Sequence, residues 1–89
     1  MVIFTFTKYA QKRFIKLPIV LQTRIVAKLK QLKTHTDILA VLKVLSNFEP
    51  ATHRLRIGDY RLILELKYQD KNKIEFYVLD IGYRRDIYG

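Results

Sequence analysis

Apolar and polar positions recur at two different periods along this chain, and the change of period divides it. Val2–Phe6 is a short β-branched and aromatic run that predicts a strand. Thr7 is placed to cap a helix over Lys8–Leu17. Pro18 cannot continue that helix but suits the first turn of another. The second helix carries Leu21, Ile25, Leu29 and Leu32, an apolar stripe at helical spacing, with Arg24 and the lysines mostly off it. Two helices meeting at Pro18 predict an αα-hairpin laid on a sheet. Ile38–Leu45 is apolar enough for either a short helix or a buried crossing, and Ser46–Pro50 reads as loop.

From His53 onward the period falls to two. His53–Ile57 and Tyr60–Tyr68 alternate around Gly58-Asp59, a two-residue hairpin signal, because glycine takes positive φ without strain. Gln69–Asn72 supplies the next turn and Lys73–Ile81 the last strand, giving a three-strand antiparallel meander. The expected fold class is α+β in the order β-α-α-β-β-β, two N-terminal helices packed on a small antiparallel sheet. Residues 1–89 form a single domain.

A two-residue turn fixes register, so Ile57 should face Tyr60, Arg56 should face Arg61, and Leu55 should face Leu62. Leu55, Ile57, Tyr60, Leu62 and Leu64 then share the core face, while Arg54, Arg56 and Arg61 share the other. Like charges directly opposite each other oppose folding, whereas a site built for a polyanion wants them. With the second turn at Gln69–Asn72, Asp80 falls opposite Arg61. The tail Gly82-Tyr83-Arg84-Arg85-Asp86-Ile87-Tyr88 returns beside the Gly58 hairpin, bringing Arg84 or Arg85, and with them Tyr88, towards Arg56 and Arg61. Guanidiniums so gathered make a phosphate site. For one arginine a structural partner is the ordinary reading: Asp80 for Arg61, Asp59 or solvent for Arg56, sheet packing for Tyr88. Four on one open face call for a ligand.

Composition sharpens this. Lys and Arg number 17 against 8 Asp and Glu, a net charge of +9. Residues 1–36 hold Lys8, Lys12, Arg13, Lys16, Arg24, Lys28, Lys30 and Lys33 and no acid. Such a field attracts nucleic acid or an acidic protein; the plainer alternative is a solvated helical face. Transit peptides are also acid-poor, but this stretch lacks serine and carries fold periodicity. No secretory pattern is visible, and the longest apolar runs fall far short of the ~20 residues that span a bilayer. The absence of cysteine excludes disulfides and thiolate metal sites and fits a cytoplasmic setting. His53 leaves the cationic face by parity and reads as a core or edge histidine; His35 lies in a polar turn. No metal-ligand spacing, glycine-rich phosphate loop, Ser/His/Asp arrangement or paired glycosidase acids are present, and no cofactor or metal is expected.

The segment His53-Arg-Leu-Arg-Ile-Gly-Asp-Tyr-Arg-Leu-Ile63, followed by Gly82-Tyr-Arg-Arg-Asp-Ile-Tyr88, resembles the RelE branch of the RelE/ParE toxins. The order of strand, helices and meander extends the resemblance over nearly the whole chain. It implies a microbial-ribonuclease-like fold and ribosome-dependent cleavage of messenger RNA at the A site. It also implies a cognate antitoxin bound in a hetero-oligomer, and the basic field calls for an acidic segment on that partner. Arg54 and Arg56 match the family's basic pair, where lysines are frequent; Arg61 matches the arginine after the turn, Arg84 the one after the final Gly-x, and Tyr88 the C-terminal tyrosine. Arginines cannot shuttle protons near neutrality, so Arg54 and Arg56 can only stabilise charge. Tyr88, its phenolate favoured by guanidiniums, is the candidate base or a stacking residue. Lys8, Lys12, Arg13, Lys16, Arg24, Lys28, Lys30, Lys33 and Arg85 would serve RNA or ribosome binding. The sequence ends one residue after Tyr88, without the extra C-terminal helix of some members. The rival readings are a ParE-type inhibitor of DNA gyrase, on the same scaffold, and an inactive relative that binds RNA or antitoxin.

Overall fold

Thr7 turns the chain where the sequence places the cap. Its hydroxyl accepts from the Ala10 amide at 3.2 Å, closing the first turn of α1 (Lys8–Ile15) directly after β1 (Val2–Phe6). The computed structural model describes residues 1–88, with Tyr88 by its backbone alone. Helix α1 ends two residues before the expected Leu17. The amides of Lys16 and Leu17 turn back to the carbonyls of Arg13 and Phe14, and Pro18 has no amide to carry the helix on. The carbonyls orphaned at this corner are met by Gln22, whose side-chain amide donates to Leu17 O at 2.8 Å and Ile15 O at 3.2 Å. Helix α2 (Ile19–Leu32) follows at once and buries Ile25, Leu29 and Leu32, with Leu21 half-buried. The ambiguous segment becomes one turn of helix, α3 (Ile38–Val41), then a two-residue strand, β2 (Lys43–Val44).

β3 (His53–Ile57), β4 (Tyr60–Gln69) and β5 (Ile74–Tyr83) form the expected meander, but the sheet is larger and mixed. Five strands stand in the order β1-β5-β4-β3-β2, with β1 parallel to β5 and the rest antiparallel. The small antiparallel sheet is thereby corrected. A hairpin turn names its own partner strand, whereas the partner of β1 is set by packing after a long helical crossover. A short helix, α4 (Arg84–Tyr88), absent from the expected element order, follows β5.

The first hairpin has the expected register: Ile57 pairs Tyr60, Arg56 pairs Arg61, and Leu55 pairs Leu62. Gly58 alone of the two turn residues takes positive φ, 60°, the pattern of a type II′ turn. The second hairpin is displaced from expectation. Asp70 builds its turn, accepting from the Asn72 amide at 2.7 Å and the Lys73 amide at 2.9 Å, so the turn lies one residue later. Register shifts follow between Leu66 and Tyr68 and between Ile63 and Leu64. Asp80 consequently faces Ile63, and Arg61 faces Gly82.

Helices and sheet close over one core. Ala10, Ile25, Leu29, Leu32 and Ile38 pack with Val2, Leu55, Ile57, Leu62, Leu64, Phe76, Val78 and Ile81. Phe4 stacks on Phe76 with centroids 5.7 Å apart.

Candidate functional site

The end of β5 and the Gly58 hairpin meet as the charge pattern requires. The Arg84 amide donates to Asp59 O at 2.8 Å, and in the ladder Arg56, Arg61 and Gly82 lie side by side. Helix α4 folds back here, with Ile87 Cδ1 only 3.4 Å from where a β-carbon on Gly82 would stand. Arg56, Arg84 and Arg85 are exposed; Arg54 is half-buried and engaged in an interaction of its own. The Tyr88 side chain lies outside the described residues.

Arg61 differs from the open cation the sequence suggests. It is 7% exposed, and its Nη1 donates to Gly58 O at 2.9 Å and Tyr60 O at 3.0 Å. Its Nε is buried with no hydrogen-bond partner in the described structure. A guanidinium carries five donors, and backbone carbonyls occupy part of that fork. Arg61 therefore braces the turn while keeping donor capacity at the point where β5 and α4 arrive. The expected pairing of Arg61 with Asp80 does not form, because the slipped register carries Asp80 away.

Asp80 takes Arg13 instead. Arg13 Nε lies 3.0 Å from Asp80 Oδ1 and donates to Ile81 O at 3.1 Å. A β-carbon on Gly82 would stand 2.7 Å from Arg13 Nη2, so this approach needs glycine there. Arg13, expected among the nucleic-acid contacts, is thus tied to β5, its charge met by a carboxylate. Lys8, Lys12, Lys16, Arg24, Lys30 and Lys33 are exposed and Lys28 is half-buried. Arg24 reaches the hairpin, its guanidinium atoms 3.0–3.2 Å from where a Gly58 β-carbon would be.

His53 is a core histidine, as parity implies: 9% exposed, edge-on to Phe76 at 5.7 Å, with Nδ1 2.8 Å from Thr52 Oγ1. Burial pushes its imidazole below the ordinary value. His35 is exposed and accepts the Asp37 amide at 3.0 Å. Among the described residues no cluster of three or more His, Asp or Glu suits a metal ion, and no helix is long and apolar enough to cross a membrane.

Sequence reasoning passed over an aromatic wall. Tyr60 and Tyr83 meet edge-to-face at 5.7 Å and, with Tyr9, Lys12 and Lys16, line a cavity of about 460 Å³ between α1 and the end of β5. The signal was the pairing of Tyr60 with Tyr83, visible only with the second hairpin in its true register.

No protein-family model matches the chain, nor does any curated protein. Solved structures do. The chain is 25% identical, with a TM-score of 0.71, to a chain of the RelBE2 toxin–antitoxin complex of Mycobacterium tuberculosis; the match covers 92% of this chain and 96% of that one. For the RelB-RelE antitoxin–toxin complex of Methanococcus jannaschii the values are 21% and 0.62, covering 94% of each chain. For the intact E. coli RelBE toxin–antitoxin complex they are 19% and 0.63, covering 91% of this chain and 94% of that one. With a shared fold along almost the entire length of both chains, and with the arginine pattern of its hairpin and tail, the chain has a RelE-like fold.

Proposed function

We propose that the chain is the toxin of a toxin–antitoxin pair and that it cleaves messenger RNA on the ribosome. The observation that carries this reading is the 2.8 Å bond from the Arg84 amide to Asp59 O, which ties the arginine-bearing tail to the hairpin of Arg56 and Arg61. In the proposed step the RNA 2′-oxygen attacks the adjacent phosphorus in line. Its proton passes to a base, the bond from phosphorus to the 5′-oxygen breaks, and that oxygen leaves as a hydroxyl after taking a proton. The products are a 2′,3′-cyclic phosphate and a free 5′-hydroxyl. Tyr88 is the proposed base. Arg84 and the free donors of Arg61 hold the charge that develops on the phosphorane. Arg54 and Arg56 orient the phosphate, and the exposed lysines of α1 and α2 guide docking on ribosomal RNA. The proposed partner that silences the toxin is an antitoxin with an acidic segment.

Single-turnover cleavage on ribosomes with a defined A-site codon tests the assignment. Tyr88→Phe is expected to slow cleavage by roughly 10²–10⁴ with ribosome affinity nearly intact. Arg84→Ala is expected to slow it by about 10²–10³. Full activity in Tyr88→Phe removes that hydroxyl from the chemistry. Cell toxicity with every message intact, and gyrase supercoiling blocked, would overturn the nuclease reading.

A further inference from the structure

Helix α2 and the open edge of β3 border an open cavity of about 320 Å³. Arg24, Lys28 and Arg56 line it together with Ala27, Gln31, Ile57 and Gly58. The lining holds three cations and no acid. Arg24 and Lys28 are four residues apart on α2, and like charges at that spacing repel. Among the described residues no ion pair engages Arg24, Lys28 or Arg56. β2 pairs with β3 only at His53 and Arg54, so the edge beside the cavity is open.

The hairpin holds this cluster in place. Gly58 lacks the β-carbon that would press on the Arg24 guanidinium, whose atoms lie 3.0–3.2 Å from where that carbon would stand. On the same residue the carbonyl accepts from Arg61 Nη1 at 2.9 Å. Gly58 thus stands between two guanidiniums, that of Arg24 at the cavity and that of Arg61, which bonds its carbonyl, at the candidate cleavage site. Arg56, which pairs with Arg61 in the ladder and lines the cavity, joins the two.

We propose that this cavity is a second anion subsite, which binds a backbone phosphate of the RNA strand neighbouring the phosphate that is cleaved. The inference deepens the nuclease reading and rests on it for the identity of the polyanion. Guanidinium forks and an ammonium match a phosphate. An acidic peptide is the poorer fit: it needs apolar anchoring, and the lining offers only Ala27 and Ile57. Because the contact is to phosphate, the subsite contributes affinity and register without base preference.

The test uses the full chain with Arg24→Ala and Lys28→Ala, singly and together, and Lys71→Ala in the exposed distal turn as control. The probe is a fluorescein-labelled, mixed-sequence, single-stranded RNA 12-mer, titrated across a range of salt concentrations. Each cavity variant is expected to weaken binding roughly two- to fivefold. The double variant is expected to lower the slope of log affinity against log salt by about 0.7, as for one lost phosphate contact on a single strand. Lys71→Ala should match the parent, and all variants should melt at the parental temperature. On ribosomes the double variant should reach the parental single-turnover rate at saturation but need a higher concentration. No measurable RNA affinity in the parent at low salt, or an unchanged affinity and slope in the double variant, overturns the subsite. So does loss of polyglutamate binding with RNA binding retained, which would make it an acidic-peptide site. A fall in the saturating rate at unchanged affinity would instead make these cations part of the chemistry. RNA binding with the expected signature but no cleavage on ribosomes sinks the nuclease reading and leaves the subsite standing.

Discussion

Arg61 performs two tasks that pull in different directions. Its Nη1 bridges two backbone carbonyls of the turn, while its buried Nε is left without a partner in the described structure. A charged hydrogen bond contributes about 1.5–3 kcal/mol, and a buried donor left empty costs a similar amount. The two carbonyl bonds outweigh the single orphan, so Arg61→Ala is expected to lower stability by about 1–3 kcal/mol in urea denaturation. Arg84→Ala, at an exposed position, should stay within about 0.5 kcal/mol of the parent. Equal stability of the two variants would show that the turn does not depend on its guanidinium brace. The spacing of Arg56 and Arg61 about Gly-Asp made both residues legible in the sequence. The burial of Arg61 was not legible, because what covers a strand residue arrives from elsewhere in the chain. Asp80 makes the same point: its partner Arg13 comes from a helix, across a stretch that no local pattern spans.

Among the elements, those specified by their own residues were readable. Thr7 and Pro18 bounded the helices, and Gly58-Asp59 set its hairpin. The second hairpin was misread because Asp70 gathers the amides of Asn72 and Lys73 into a later turn and two register shifts follow. The same Asp70 accepts the Tyr68 hydroxyl at 2.7 Å; that bond and the two amides hold its carboxyl below the ordinary range. Pairing across strands at a bulge depends on both strands at once, which a period-two pattern does not encode. The Gly58 hairpin yields the sharper prediction. Gly58→Val forces a β-branched residue to positive φ and presses it onto the Arg24 guanidinium. A loss of ~1–3 kcal/mol, read as a lower melting temperature, is expected. An unchanged melting temperature would mean that the turn adopts another geometry without cost.

At the scale of the whole molecule, charge and topology dominate. A net charge of +9 on 89 residues, with the exposed cations of α1 and α2 largely unmatched by acids, sets a long-range field. Association with the proposed acidic antitoxin should therefore weaken as salt rises, chiefly through a slower on-rate. An affinity indifferent to salt in a titration would point to an apolar interface, for which Ile15, Ile19 and Val20 are exposed. Topology carries a consequence of another kind. Val2–Phe6 is made well before its ladder partner Ile74–Val78, with three helices and three strands between them. Until that strand emerges, β1 has no neighbour to pair with, and β4 lacks one of its two flanking strands. Pairings so distant along the chain are slow to close and cannot close early. The order of synthesis thus delays the arginine cluster: the residues of the Gly58 hairpin emerge first, but Arg84 reaches Asp59 only when β5 is in place. A polypeptide still under translation therefore lacks the assembled arginine cluster on which the proposed cleavage depends.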